Sequence, residues 1–409
     1  MKYSPSKYAD LTRVINDKNY ADEKHLIVKK NNLPENDLFI IQYNKTFLND
    51  ENINTLGLFR SIIVDKNGKI MSFSPPKSLT VDSFKNSVSG DDIEYSEFCE
   101  GTMINLFRNK DDWELSTKST IGARSKFFQE YPKTFRYLFL EILNDKGIEL
   151  DNFDTNKVYS FVIQHPDNRI VVPFEKMDLK LVQIYEITET NDIISCETIQ
   201  NIKSLICQNN INIETPLPLN EIIECLDCSV DEIQSKFSGL NMSWKIVGAV
   251  ITNTKTGERT KIRNPSYEYV KKLKGNNPKI QFQYYALRGK NKVSEYLMYY
   301  PEKKREFSKL RAQLHQWTQQ LYKNYISCYI KKEAPLKNFP YEFKTHMFKL
   351  HEIYKENLKP KKSYVSKSVV VDYVNNLEPP RLMHVINYKL RKNIVENNAN
   401  DTAGQIQGN

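Results

Sequence analysis

The sequence contains few cysteines and few glycines for its length. It has 6 cysteines and 13 glycines among 409 residues. Six cysteines over this length do not make the framework of a disulfide-stabilised scaffold. One pair, Cys225 and Cys228 in "CLDC", has the C-x-x-C spacing, but no second cysteine or histidine pair follows at zinc-binding spacing. We therefore expect two half-buried thiols on one helix and a reducing compartment.

Long apolar runs and the common catalytic loops are also missing. No stretch of 18 or more apolar residues occurs, and the first residues contain no apolar signal-peptide core, so we expect no membrane span and no secretory signal. The G-x-G-x-x-G, Walker-type and G-x-S-x-G motifs are absent. We therefore expect an intracellular, cytoplasmic protein. The richness in Lys, Asn, Ile and Tyr indicates an AT-rich genome and suits a virus-encoded or virion-associated protein.

Positive charge is in excess and unevenly distributed. The formal net charge is +9, which favours a polyanionic partner. Residues 271–292 carry seven basic residues and no acidic one, with aromatic residues between them. This composition predicts contact with RNA or single-stranded nucleic acid, although a solvated junction with anchoring aromatics would look the same. The candidate nucleic-acid contacts are Lys271, Lys272, Lys274, Lys279, Tyr284, Tyr285, Arg288 and Lys290.

Turn signals and hydrophobic periodicity predict an α+β protein. Four β-rich pairs of segments flank turns at residues 65–68, 109–112, 165–168 and 254–257, which indicates antiparallel hairpins. From about residue 295, apolar residues recur at spacings of three and four, which is typical of amphipathic helices. We predict an antiparallel-sheet domain over 1–290, a mostly α-helical domain over 291–396 and a disordered tail over 397–409.

Five segments, taken in order, resemble a known enzyme family. They are "FRSIIVD", "FCEGTMINLF", "WELSTKSTIGA", "FVIQHPDNRIVVPF" and "KIVGAVITNTKTGERTKIRNPSY". Between Arg60 and Tyr267 their order and spacing resemble the phage-type ATP-dependent RNA ligases that repair tRNA, which are covalent nucleotidyltransferases. The resemblance implies an adenylyltransferase-like domain followed by a helical domain. It also implies nucleotide- or phosphate-binding roles for Arg60, Glu100, Gly101, Lys118, Lys261 and Arg263.

The sequence departs from this family at three positions. A lysine amine must attack the α-phosphate of ATP, and carboxylates must hold Mg²⁺. The nucleophile position is Phe98, and two glutamate positions are Val162 and Val247. None of these residues can accept AMP or bind a metal, so we expect a catalytically inactive protein with no cofactor that binds RNA or a nucleotide. We also expect the three side chains to lie within reach of one another.

Two other hypotheses remain open. An active ligase using ATP and Mg²⁺ would need a displaced nucleophile, for which Lys77 and Lys118 are the candidates. A scaffold protein of a viral complex would use the same fold to bind a protein partner. Attachment of labelled AMP distinguishes the first of these from a binding protein, and co-purification with a partner supports the second.

Overall fold

The computed structural model describes residues 1–31, 37–87, 92–127, 133–196, 198–224 and 229–393. The Cys225 and Cys228 pair and the predicted tail over 397–409 lie outside these ranges. The chain divides into two compact units, Met1–Lys271 and Lys272–Asn409. The sequence suggested a domain boundary at residue 290, whereas the two compact units divide after Lys271.

The first unit contains antiparallel sheets, as predicted. In the described residues their orders are β1-β11-β10-β9-β7-β8, β2-β3-β4-β5 and β13-β12-β6. The strands are β1 (Lys2–Tyr3), β2 (Leu26–Lys30), β3 (Phe39–Tyr43), β4 (Ile62–Val64), β5 (Ile70–Phe73), β6 (Ile93–Glu97), β7 (Thr102–Asn109), β8 (Asp112–Ser116), β9 (Lys157–Gln164), β10 (Asp178–Ile187), β11 (Ile193–Ser195), β12 (Gly248–Asn253) and β13 (Arg259–Arg263).

Short helices flank these sheets. They are α1 (Leu11–Asn16), α2 (Lys18–Glu23), α3 (Val81–Ser87), α4 (Phe135–Asp145), α5 (Ile199–Gln208), α6 (Val230–Lys236) and α7 (Pro265–Lys274), the last of which reaches the division between the units. Helix α4 presents Leu138, Phe139 and Ile142 to the core beneath the six-stranded sheet. A separate apolar cluster, which includes Phe84 and Ile251, lies against the three-stranded sheet. The unit therefore has several packed layers.

Three of the four predicted hairpins are confirmed, and the remaining one is corrected. Strands β4 and β5, β7 and β8, and β12 and β13 pair around the expected turns. The segment after the turn at 165–168 is not a strand. The backbone N–H groups of Val171 and Val172 donate to the Glu100 carboxylate at 2.7 and 3.0 Å instead of to a neighbouring strand. Strand β9 consequently pairs with β10, which begins later at Asp178.

The second unit is helical in its described residues, as the periodicity predicted. Its helices are α8 (Ile280–Gly289), α9 (Val293–Tyr299), α10 (Lys304–Tyr325), α11 (Tyr341–Ile353), α12 (Lys367–Asn375) and α13 (Pro379–Ile386). Phe307, Leu314 and Trp317 form part of the buried face of α10. The ring centroid of Phe307 lies 5.2 Å from those of Tyr284 and Tyr296, so α8 and α9 pack on α10 through aromatic residues. The α+β class with a helical C-terminal region is therefore confirmed.

Candidate functional site

Strand β13 presents three cationic side chains on one face. Arg259, Lys261 and Arg263 alternate with Thr260 and Ile262 along the strand. Successive side chains of a strand point to opposite faces. Thr260 is 0% exposed and Ile262 is 6% exposed, so the polar-looking sequence "RTKIR" has one face in the core and one cationic face.

The cationic face borders a cavity of about 90 Å³, which contains room for several water molecules. Arg259 and Lys261 line it together with Phe98 and Val162. The Lys261 Nζ lies 4.4 Å from the centre of the Phe98 ring, and the Arg263 guanidinium carbon lies 5.6 Å from it. Phe98 thus provides an aromatic surface for two cationic side chains.

Burial and mutual repulsion shift the pKa values of these groups downward. Burial, followed by Arg259 and Arg60, lowers the pKa of Lys261 to about 6. Burial, followed by Arg60, lowers the pKa of Arg259 to about 10. Burial also lowers the pKa of Arg60. Lys261 is half-buried and lines the cavity, and a pKa of about 6 makes its amine mostly neutral at pH 7.

Three basic side chains have no carboxylate partner within ion-pair distance among the described residues: Arg259 and Lys261, which line the cavity, and Arg60, whose charge lowers the pKa of both. Arg60 and Arg259 donate to backbone carbonyls of the proline pair after β5. The Arg259 Nε is buried without any hydrogen-bond acceptor. Arg263, in contrast, pairs with Glu268 at 2.7 Å. Because buried cations are normally paired with anions, this arrangement is suited to receive one.

Two carboxylates also line the cavity, but both are engaged with the backbone. Glu94 accepts from the Ile199 N–H at 2.9 Å, and Glu97 accepts from the Leu217 N–H at 3.1 Å. Burial raises the pKa of Glu94. No group of three or more His, Cys, Asp or Glu side chains suited to a metal occurs in the part of the chain that the structure describes. The carboxylates of the described site are therefore used to hold the backbone and do not form a metal-binding group.

The structure brings together two of the three apolar residues that the resemblance singled out. Phe98 and Val162 line the same cavity, whereas Val247 is not among the described lining residues. Val247 is 8% exposed and immediately precedes Gly248, whose carbonyl accepts the Phe98 N–H at 3.0 Å. Val247 is therefore next to the residue that pairs with the Phe98 backbone, but its side chain is not part of the described cavity lining.

Glu100 and Gly101 have local structural roles and do not line the cavity. The Glu100 carboxylate is 5% exposed and accepts the two N–H groups that follow the turn after β9. Gly101 has a φ of +146°, and a Cβ there would lie 2.2 Å from the Ile163 carbonyl oxygen. Glycine at this position therefore permits the close approach of β9.

Lys77 and Lys118, the two candidates for a displaced nucleophile, are exposed and lie outside the cavity lining. The Lys77 amine donates to the Ser78 carbonyl at 3.4 Å, and the Lys118 amine lies 5.5 Å from the Tyr43 ring centre. Although the two side chains are exposed overall, partial loss of water around each amine lowers its pKa, and the positive charge of Arg60 lowers it further. The lysine that lines the cavity is Lys261.

Sequence reasoning missed Arg259 and Glu94. Arg259 precedes Lys261 by two residues, so the period of a strand could have placed it on the same face. Glu94 lies on β6, and the register of β12 places Thr252 opposite both Glu94 and Arg259. The sequence alone could not predict that β6, β12 and β13 pair in this register, and so it could not place Glu94 near Arg259.

In the second unit, the predicted aromatic contacts to bases are corrected. Tyr284 and Tyr285 are 3% and 2% exposed, because they face the helical core. They therefore present no free ring for stacking. Lys271, which belongs to the first unit, pairs with Glu268. Of the remaining candidates, Lys272, Lys279 and Lys290 are exposed, and Lys274 and Arg288 are half-buried.

The described helices include none that is both long and apolar enough to cross a membrane. No family model matches the chain. It is 24% identical over 348 residues to the "Immediate-early protein ICP-46 homolog" of Invertebrate iridescent virus 6, a match that covers 78% of this chain and 73% of that protein. The chain therefore has a viral relative.

Parts of solved Naegleria gruberi RNA ligase mutants are also similar. A ligand-free mutant is 14% identical with a TM-score of 0.36, over 49% of this chain and 57% of the ligase chain. A second mutant, with ATP and Mn, is 14% identical with a TM-score of 0.35, over 47% and 57%. This chain thus spans just over half the length of these ligase chains.

Proposed function

We propose that the first unit binds the phosphate groups of RNA or of a nucleotide in its cationic cavity, without forming a covalent adduct. The observation that carries this proposal is that Arg259 and Lys261 line one cavity, that Arg60 is close enough to lower the pKa of both, and that none of the three is paired to a carboxylate among the described residues. A phosphate would accept hydrogen bonds from these groups and offset their mutual repulsion. Loss of RNA-ligase chemistry is supported by Phe98 and Val162, which line the cavity and offer neither an amine nor a metal ligand.

The test is the binding of a fluorescent, 5′-phosphorylated single-stranded RNA, measured by anisotropy over a range of salt concentrations. We expect Arg259→Gln and Lys261→Met each to weaken binding roughly tenfold at low salt and to reduce its salt dependence. Lys66→Gln is the matched control, because Lys66 is exposed in the β4–β5 turn and does not line the cavity.

The proposal fails if neither RNA nor a nucleotide binds at low ionic strength. It also fails if Lys66→Gln weakens binding as much as Arg259→Gln, because the attraction would then be a general property of the charged surface. Circular dichroism of each variant shows that the fold is kept. If the half-buried Arg259→Gln unfolds, Lys261→Met decides, since an apolar side chain of similar length replaces an amine that is mostly neutral.

One observation supports an active enzyme as the second candidate. Lys261 is a largely neutral amine at pH 7 and lies 4.4 Å from the Phe98 ring, so it is better placed as a displaced nucleophile than Lys77 or Lys118. Its Nζ would attack the α-phosphorus of ATP, a P–N bond would form, pyrophosphate would leave, and the amine would release a proton to solvent. Mg²⁺ would accompany the ATP.

Incubation with ATP labelled at the α-phosphate and Mg²⁺ or Mn²⁺ separates the two candidates. For the binding protein we expect no covalent label between about pH 6 and pH 9. A label lost in Lys261→Met but kept in Lys77→Ala and Lys118→Ala would establish the enzyme and identify its nucleophile. A label lost in either alanine variant would instead restore that lysine as the nucleophile.

A further inference from the structure

The helical unit contains a cavity of its own, about 480 Å³ in volume, which is within the size range of small-molecule sites. Helices α8, α9, α10 and α12 contribute to its walls. Val293, Leu297 and Val371 form an apolar floor whose side chains are half-buried. This cavity lies within the second unit and is separate from the cationic cavity of the first.

Helix α10 gives this cavity a polar rim. Lys304, Ser308, Arg311 and His315 line it at successive spacings of four, three and four residues. Side chains at these spacings lie on one face of a helix. All four are exposed and present hydrogen-bonding groups beside the apolar floor. Arg288 at the end of α8 adds a further guanidinium.

The rim contains cations and no acid. None of the described lining residues is Asp or Glu, and Arg288, Lys304 and Arg311 make no ion pair among the described residues. The neighbouring acids Glu295 and Glu306 pair with other lysines. Burial lowers the pKa of Arg288, and the positive charge of Arg311 lowers it further. An anion between the two arginines would relieve this repulsion.

We propose that this cavity binds the 5′-phosphate of a nucleotide, with Arg288 and Arg311 on the phosphate and the base against the apolar floor. Two guanidinium groups suit the several oxygens of a phosphate monoester. The apolar floor suits a planar base better than a second charged group. The nucleotide is either free or the 5′-end of an RNA, because both present the same phosphate and base. The inference does not depend on the function proposed for the first unit.

Calorimetric titration of the full chain at low salt tests this site. The probes are adenosine 5′-monophosphate, adenosine, and a short 5′-phosphorylated oligoribonucleotide. We expect Arg288→Gln and Arg311→Gln each to weaken binding of the monophosphate roughly tenfold, and adenosine to bind at least tenfold more weakly than the monophosphate. Much tighter binding of the oligoribonucleotide, with the same loss in the variants, would identify an RNA end as the ligand. Tighter binding of the monophosphate would identify a free nucleotide.

Arg305→Gln is the matched control, because Arg305 is an exposed arginine of α10 that does not line the cavity. Equal losses in Arg305→Gln and Arg311→Gln, or equal affinities for adenosine and its monophosphate, would overturn the proposal. If the half-buried Arg288→Gln does not fold, the exposed Arg311→Gln decides. Arg259→Gln, measured in parallel, is expected to leave the Arg311 effect unchanged, so failure at one cavity is distinguishable from failure at the other.

Discussion

Replacement of Lys261 by methionine should remove a specific part of the pH dependence of stability. The pKa of this lysine falls from 10.5 to about 6 on folding, chiefly through burial. Between these values the unfolded chain holds a proton that the folded chain has released, so the free energy of unfolding rises with pH. The contribution is about 1.4 kcal/mol per pH unit, or about 2.7 kcal/mol between pH 7 and pH 9.

Urea unfolding at pH 7 and pH 9 measures this contribution. We expect the wild-type protein to gain about 2.7 kcal/mol more than Lys261→Met on going from pH 7 to pH 9. At pH 7 itself, the variant should be the more stable protein, because it no longer loses a proton on folding. Lys66→Met, at an exposed turn position, should keep the wild-type pH dependence. If the free energy of unfolding changes equally with pH in the wild type and in Lys261→Met, the conclusion that Lys261 is neutral in the folded protein is wrong.

Three further predictions concern the first unit, and one of them takes its control variant from the second unit. Binding of a phosphate ligand at pH 7 should be accompanied by uptake of up to about one proton as Lys261 regains its charge, which calorimetry in buffers of different ionisation enthalpy would detect. Gly101→Ala should cost about 2–4 kcal/mol in urea unfolding, because its Cβ would lie 2.2 Å from the Ile163 oxygen, whereas Gly289→Ala meets no atom within 4 Å and should be near neutral. Glu100→Gln should cost about 1–3 kcal/mol in the same assay through weaker acceptance of two backbone N–H groups.

Local signals in the sequence were sufficient for most of the sheet framework. Asn67 and Gly68 marked the β4–β5 turn because they favour tight turns between strands. The same approach failed after β9, where the apolar run around Val171 looked like a strand. Its N–H groups bond to Glu100, which lies 71 residues earlier in the chain. When a distant side chain accepts the backbone hydrogen bonds of a segment, the sequence of that segment does not show it.

Residues of the candidate sites could be predicted only where they lie on a single strand or helix whose periodicity shows which residues share a face. Lys261 and Arg263 followed from the resemblance, and the period of the strand also places Arg259 beside them. In contrast, Tyr284 and Tyr285 looked available for stacking because they lie in a basic stretch, yet both are buried against the helical core. Whether an aromatic residue among lysines faces water or a core depends on the packing of neighbouring helices.

The cationic cavity offers a physical reason why Phe98 and Val162 occur together. A lysine at position 98 would place a further amine beside Lys261 and a second positive charge near Arg263, whose guanidinium carbon lies 5.6 Å from the Phe98 ring centre. Two unit charges at that distance repel by about 3 kcal/mol at an effective dielectric constant of about 20. A carboxylate at position 162 would offset that repulsion, but Val162 cannot. Without an acid at position 162, an aromatic residue at 98 is the less costly neighbour for these basic groups, and a bound phosphate would supply the anion that neither Glu94 nor Glu97 provides to them, since both accept from backbone N–H groups.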